Sequence, residues 1–242
     1  MRTQVIFDGF ELSRHFHVSN LRTSLLPRTV KTREVPGRDG SLYLGASHAA
    51  RTITMTLSVM GKAVEERQQA SRMLAAILAV DEPRPLSLSI DSGLWYMAVP
   101  VSDGDGSRYR NATTFDVAFE CPDPIAYGRE RTVTVPSGGS VSFEVGGTHP
   151  TMPHVSAAAA KKGSSGYWRL TLEDGSFFAA TIPSNLSTAP VAADCATRVL
   201  RVNGDVSLLD PSADWLVLAP GRHTLTMNGT GAATVTFNER WL

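Results

Sequence analysis

The sequence has 242 residues, 42% of them hydrophobic and 19% charged, with 23 basic residues balanced by 23 acidic ones. That composition excludes a disordered chain, and zero net charge argues against a protein that grips nucleic acid by its phosphates, because counterion release needs a basic surplus. Cys121 and Cys195 form no spacing motif and read as buried thiols of a reducing compartment. No run approaches the roughly 20 apolar residues that cross a bilayer, and no apolar leader follows Met1, so the expectation is a soluble protein made in the cytosol.

Val5 opens a strand that ends at Asp8-Gly9, one of seven Asp-Gly or Asn-Gly pairs suited to tight hairpin turns. His15 and His17 would share one face of a strand and could touch a metal, but no third ligand is near, which leaves two surface histidines. Residues 20–40 carry Arg22, Arg28, Lys31, Arg33 and Arg38 against Glu34 and Asp39, with few regularly spaced apolar residues. That stretch is either an extended hairpin or arm leaving the core, or an ordinary solvated loop. From 51 to 60, Ile53, Met55, Leu57 and Val59 alternate with Thr52, Thr54, Thr56 and Ser58, the pattern of a half-buried strand. The spacing of Ala70, Met73, Leu74, Ile77 and Leu78 then predicts an amphipathic helix over about 63–80, with Glu65 and Glu66 in its first turn and Pro83 and Pro85 preventing continuation. Strands 86–90 and 95–99 flank Asp91-Ser92-Gly93 as a hairpin. Asp103-Gly104-Asp105-Gly106 resembles a calcium loop only faintly, lacking the spaced ligands and closing Glu, and reads as a turn. Phe115, Val117 and Phe119 alternate in another strand.

Pro122, Pro124 and Gly128 interrupt regular structure, which sets the expected domains at 1–128 and 129–242. Beyond the break, strand patterns recur at 133–135, 141–145, 167–172, 199–202, 215–218, 223–227 and 234–237, with no helix. The alanine run 157–160 is too short for one, and 161–166 is a loop. The second half thus reads as a β-sandwich of about a hundred residues.

Chemistry is hard to find. There is no nucleophile elbow, zinc-protease motif, phosphate loop or dinucleotide fingerprint, so no catalytic residue, metal or cofactor is expected. Asp205, Asp210 and Asp214 precede Trp215. Carboxylates beside an aromatic would suit a carbohydrate contact, or a glycosidase if two of them stood about 5–9.5 Å apart. The same residues near Pro211 are ordinary turn formers. Trp95, Trp168, Trp215 and Trp241 read as core or interface anchors.

Seven segments taken in order carry a resemblance. They are Val5-Ile6-Phe7-Asp8-Gly9-Phe10, Val35-Pro36-Gly37-Arg38-Asp39-Gly40, Arg51-Thr52-Ile53-Thr54-Met55 with its following helix, and Trp95-Tyr96-Met97-Ala98-Val99. After these come Phe119-Glu120-Cys121-Pro122-Asp123-Pro124, Trp215-Leu216-Val217-Leu218-Ala219-Pro220-Gly221 and Val235-Thr236-Phe237-Asn238-Glu239-Arg240-Trp241-Leu242. Together they resemble the distal tail proteins of long-tailed bacteriophages and prophages.

The resemblance implies a mostly β protein: an N-terminal β-sandwich with one helix and a projecting β-hairpin arm at about 20–40, and a C-terminal galectin-like β-sandwich. It also implies a homohexameric ring in which each arm reaches its neighbour, placing Arg28, Arg33, Arg38 and Asp39 at the subunit interface. The galectin-like domain would sit on the outside of the ring. Such rings join the tail tube protein to the tip hub, tail-associated protein or baseplate, in some cases beside a receptor-binding protein, and let DNA pass unread. The protein would reside in the virion tail tip, assembled in the host cytoplasm, with no membrane involved. The competing reading is a carbohydrate-binding module contacting host glycans through Asp205, Asp210, Asp214 and Trp215.

Overall fold

The computed structural model of the chain describes residues 3–60, 63–101, 106–109 and 111–242. It is mostly β and divides into two compact units, Met1–Ala126 (with Leu242) and Tyr127–Trp241.

The first unit runs β1 (Val5–Phe7), β2 (Phe10–Glu11), α1 (Leu12–His15), β3 (His17–Thr23), β4 (Arg28–Glu34), β5 (Ser41–His48), β6 (Arg51–Met60), α2 (Val64–Leu78), β7 (Arg84–Leu88), β8 (Trp95–Pro100), β9 (Gly106–Tyr109) and β10 (Ala112–Cys121). Asp8 and Gly9 take φ of 48° and 77°, the successive left-handed pair that lets β1 turn directly into β2. An antiparallel sheet runs β2-β1-β7-β8-β10-β6-β3, with β9 on β10. The β6–β10 register, from Ala112↔Met60 to Cys121↔Arg51, sets Ile53 opposite Phe119 and Met55 opposite Val117. All four of these, with Leu57 and Val59, are buried, each burial stabilising by about 1.5–3 kcal/mol. The Phe7 and Phe119 rings lie 5.0 Å apart, so the sheet curls until β1 packs over β10. Helix α2 buries Ala70 and Leu74, while Met73, Ile77 and Leu78 are half-buried.

Arg51 is the largest buried cation. Its Nη1 donates to the Tyr96 hydroxyl at 2.8 Å, and that hydroxyl donates to Asp91 Oδ2 at 2.9 Å, so the charge is offset through a phenol relay. Burial, then the bond to Asp91, pushes the Tyr96 hydroxyl up to about 12.

The expectation for the two histidines fails. His15 and His17 do not share a strand face: His15 ends α1 with its ring stacked 5.1 Å from Phe10, and His17 begins β3. Leu12 and Phe16 are both fully buried. Their four-residue spacing selects a helical turn over strand alternation here.

The second unit runs β11 (Ala126–Val135, all but its first residue), β12 (Ser140–Val145), β13 (His154–Ala160), β14 (Trp168–Thr171), β15 (Phe177–Ala180), β16 (Ala189–Asp194), β17 (Val199–Val202), β18 (Asp205–Ser207), β19 (Gly221–Asn228) and β20 (Ala233–Trp241). Two sheets, β18-β17-β16-β13-β20-β11 and β12-β19-β14-β15, enclose a core that includes Trp168, Leu170, Phe178, Leu225 and Val235. Asn203 and Gly204, with φ of 55° and 88°, make the β17–β18 turn. The alanines at 157–160 form the end of β13. The segment 215–218 is not a strand: Leu216 and Leu218 are buried and Val217 is exposed, but only Leu218 makes a bridge, to Thr151. The alternation there reflects burial between Pro211 and Pro220 without a ladder.

His223 on β19 clamps two loops. Its Nδ1 is 2.8 Å from Glu173 Oε1 and its Nε2 is 2.7 Å from the Ala219 carbonyl oxygen, so the arrangement is complete when both ring nitrogens carry hydrogen. The Thr224 amide donates to Glu173 Oε2 at 2.8 Å and, with His223, holds the Glu173 carboxyl below its ordinary value. A lowered folded value means stability that is present above the unfolded carboxyl range, near 4.5, and lost as pH falls through the folded value. Denaturant midpoints of wild type and Glu173→Gln should therefore differ at about pH 6 and converge as the pH falls below the unfolded carboxyl range and through the folded value. A gap that stays constant across that window would mean the clamp does not depend on ionised Glu173.

Candidate assembly surface

Among the described residues, strands β4 and β5 pair only with each other, in a two-stranded sheet of their own. The register runs from Arg28↔His48 to Glu34↔Ser41, interrupted by a bulge that leaves Leu44 unopposed between Gly45 and Tyr43. Gly45 there takes a φ of 136°. Residues 35–40 form the turn, with Gly37 and Gly40 at φ of 81° and 79°. All of β4 is exposed, as is β5 except for half-buried Gly45 and Ala46. The sequence placed this arm at about 20–40. The hairpin spans 28–48 instead, because Arg22 and Thr23 belong to β3, paired with Thr54 and Ile53 of β6, and the Asp39-Gly40 pair is the tip of the arm rather than its end.

The four expected interface residues are all exposed but do not form one patch. Arg28 and Arg33 lie five residues apart on a regular strand, so they point to opposite faces, while Arg38 and Asp39 sit in the turn. Among the described residues, none of the four makes a side-chain ion pair within the chain. Sequence reasoning missed the apolar residues of the hairpin: Val30, Leu42, Tyr43 and Leu44 are 56%, 37%, 66% and 62% exposed. The available signal was the run Leu42-Tyr43-Leu44 just after the Asp39-Gly40 turn.

The carbohydrate candidates have separate local roles. Asp205 begins β18, and the Asp214 amide donates to the Phe177 carbonyl at 2.8 Å. Asp210 accepts from the Ser212 hydroxyl and from its amide at 2.9 Å, which hold its carboxyl below the ordinary range. A further bond to Asp210 raises the Tyr167 phenol. Trp215 packs at a tilt against Phe178, ring centres 5.9 Å apart. No hydrogen bond or ion pair joins the three carboxylates to one another among the described residues. Cys121 and Cys195 are unlinked and buried, and burial pushes their thiols up to about 12 and about 11. Neither is a thiolate at neutral pH. The described residues contain no group of three or more His, Cys, Asp or Glu able to hold a metal. Asp103, Gly104 and Asp105 lie outside the described residues. No described helix is long and apolar enough to cross a membrane.

Residues 9–121 match the phage tail protein RIFT-related domain, and residues 146–241 match the C-terminal domain of the siphovirus-type tail component. The chain thus carries both phage-tail domains, in order. It is a Dit-like structural component of a phage tail, hence of the virion. The solved structure of the SPP1 Dit protein, described as a hub adsorption apparatus in phages infecting Gram-positive bacteria, is similar over 99% of both chains, with a TM-score of 0.80 and 22% identity. Two structures of the phage P2 baseplate in its activated conformation, with Ca and with Sr, contain chains similar at TM-scores of 0.52 and 0.50, each 11% identical. They cover 98% and 97% of both chains. At these identities the likeness is one of fold. No curated protein matches the chain.

Proposed function

We propose that this Dit-like chain forms a homohexameric ring at the distal end of the tail, joining the tail tube to the tip hub or baseplate around a channel for DNA. The observation that carries this reading is the hairpin 28–48, which among the described residues is paired to no other strand of its own chain. An isolated two-stranded hairpin is marginal in water, and a head-to-tail ring needs two different complementary patches on each subunit. A projecting arm and the surface it meets on the next copy would be such a pair. Residues 1–128 would be the ring-forming domain and residues 129–242 a galectin-like docking domain. The hub and baseplate descriptions of its structural neighbours support tail-associated and receptor-binding proteins as further partners. The role is non-enzymatic, the ring assembles in the host cytoplasm, and DNA passes without specific binding, as suits a chain of zero net charge.

Light scattering of the purified protein across a concentration series tests this. A mass rising to six copies is expected, and a strict monomer at the highest concentration would remove self-assembly. Arg33→Glu and Arg38→Glu should each lower the ring yield while leaving monomer stability within about 0.5 kcal/mol, the usual range for surface changes. Unchanged yields would take both arginines out of the interface.

A further inference from the structure

The two faces of the hairpin differ. Because directly opposed residues share a face, the register groups Arg28, Val30 and Thr32 with His48, Ala46 and Tyr43 on one side, and Lys31 and Arg33 with Gly45 and Leu42 on the other. The bulge at Leu44 makes this division: without the extra residue, Tyr43 would fall on the cationic side. The first face presents Val30 and Tyr43 between Arg28 and His48 at its root and Glu34, opposite Ser41, at its tip. The second is led by two cations. Five of the eleven large exposed apolar side chains of the first unit, among the described residues, fall between Leu25 and Leu44.

We infer that the Val30–Tyr43 face is buried by a second copy of this chain, and that the cations of the hairpin steer the approach without anchoring it. This rests on the ring reading above and specifies the contact within it. Charge complementarity favours a second copy as the occupant. Residues 28–48 carry four cations against two carboxylates, net +2, whereas the rest of residues 1–126 carries ten against twelve, net −2. Each subunit thus offers a basic arm and an acidic body to the next. Exposed charges act mainly on encounter and are screened by salt. A buried tyrosine beside an aliphatic residue is the usual kind of interface anchor.

The test measures assembly of the full chain by light scattering at about 50 mM and about 500 mM salt, a range over which the screening length falls by more than half. Val30→Ser with Tyr43→Ser should raise the concentration for half-assembly about 30-fold or more at both salts, the effect of losing an anchor. Lys31→Glu with Arg33→Glu should raise it about 10-fold at low salt and only about 2-fold at high salt. Both pairs are exposed, so thermal midpoints of the monomers should match wild type. If the serine pair shifts its own midpoint, Tyr43→Ser alone serves in its place. A serine variant that assembles like wild type, or a charge variant equally crippled at both salts, would overturn the inference and leave the ring standing. A wild type that stays monomeric would overturn both, and would assign the hairpin to a different tail protein.

Discussion

Trp168→Ala should be among the most damaging single truncations in the second unit, costing about 3–5 kcal/mol. Trp168 opens β14, is fully buried, and is the largest of the fully buried side chains. Its indole is part of the sandwich core, and its Cδ1 packs against Gly229 closely enough that a Cβ there would lie 3.0 Å away. Alanine would leave a cavity that two hydrogen-bonded sheets cannot close. For a unit of this size each kcal/mol moves the thermal midpoint by about 4 °C or more, so calorimetry should show that unit's transition fall by more than about 10 °C. The indole N–H has no hydrogen-bond partner among the described residues, so Trp168→Phe forfeits volume and no protein partner, and should cost only about 1–2 kcal/mol. A drop below about 1 kcal/mol for alanine would mean the core refills. Equal losses for alanine and phenylalanine would mean the N–H has an acceptor, such as a trapped water, whose loss dominates.

How far the sequence discloses the structure depends on whether a residue's environment is set nearby or by register. The hydroxyl-apolar alternation of β6 reads directly because one face is core and the other solvent, and the Asp8-Gly9 and Asn203-Gly204 turns read directly because left-handed backbone selects those residues. The stripe of α2 is legible for the same reason. In α1, a single turn offers only Leu12 and Phe16, too few to outweigh the strand pattern on either side. In β5 both faces are exposed, so no alternation marks the return of the arm. The assembly face was hidden more deeply. The arginines are conspicuous in the sequence, but which of them share a side with Val30 is decided by the unopposed Leu44, and no local pattern announces a bulge.

The second large effect is expected at Gly231, where backbone geometry and crowding coincide. Gly231 lies between β19 and β20 at a φ of 89°, and a Cβ built on it would fall 2.0 Å from the Ala159 carbonyl oxygen and 2.6 Å from its carbon. Both are backbone atoms at the end of β13, so no side chain can rotate aside. The neighbouring residue is tied to the position just after that strand, since Thr230 and Lys161 exchange amide-to-carbonyl bonds at 3.0 and 3.1 Å, and the Gly231 amide donates to Ser137 Oγ at 3.1 Å. Gly231→Ala must therefore pay the left-handed penalty of about 1–2 kcal/mol and also part the loop from β13, losing bonds that contribute about 1 kcal/mol each. A total of about 3–5 kcal/mol follows. Gly204→Ala separates the two terms: its φ of 88° is nearly the same, yet nothing lies within 4 Å of its Cβ position. That variant should lose only the backbone term, about 1–2 kcal/mol. If urea unfolding gives the two variants the same loss, crowding against Ala159 contributes nothing and the loop yields freely. A deficit at Gly231 larger by about 2 kcal/mol would instead identify the contact between 230–231 and the end of β13 as a fixed point of the second unit.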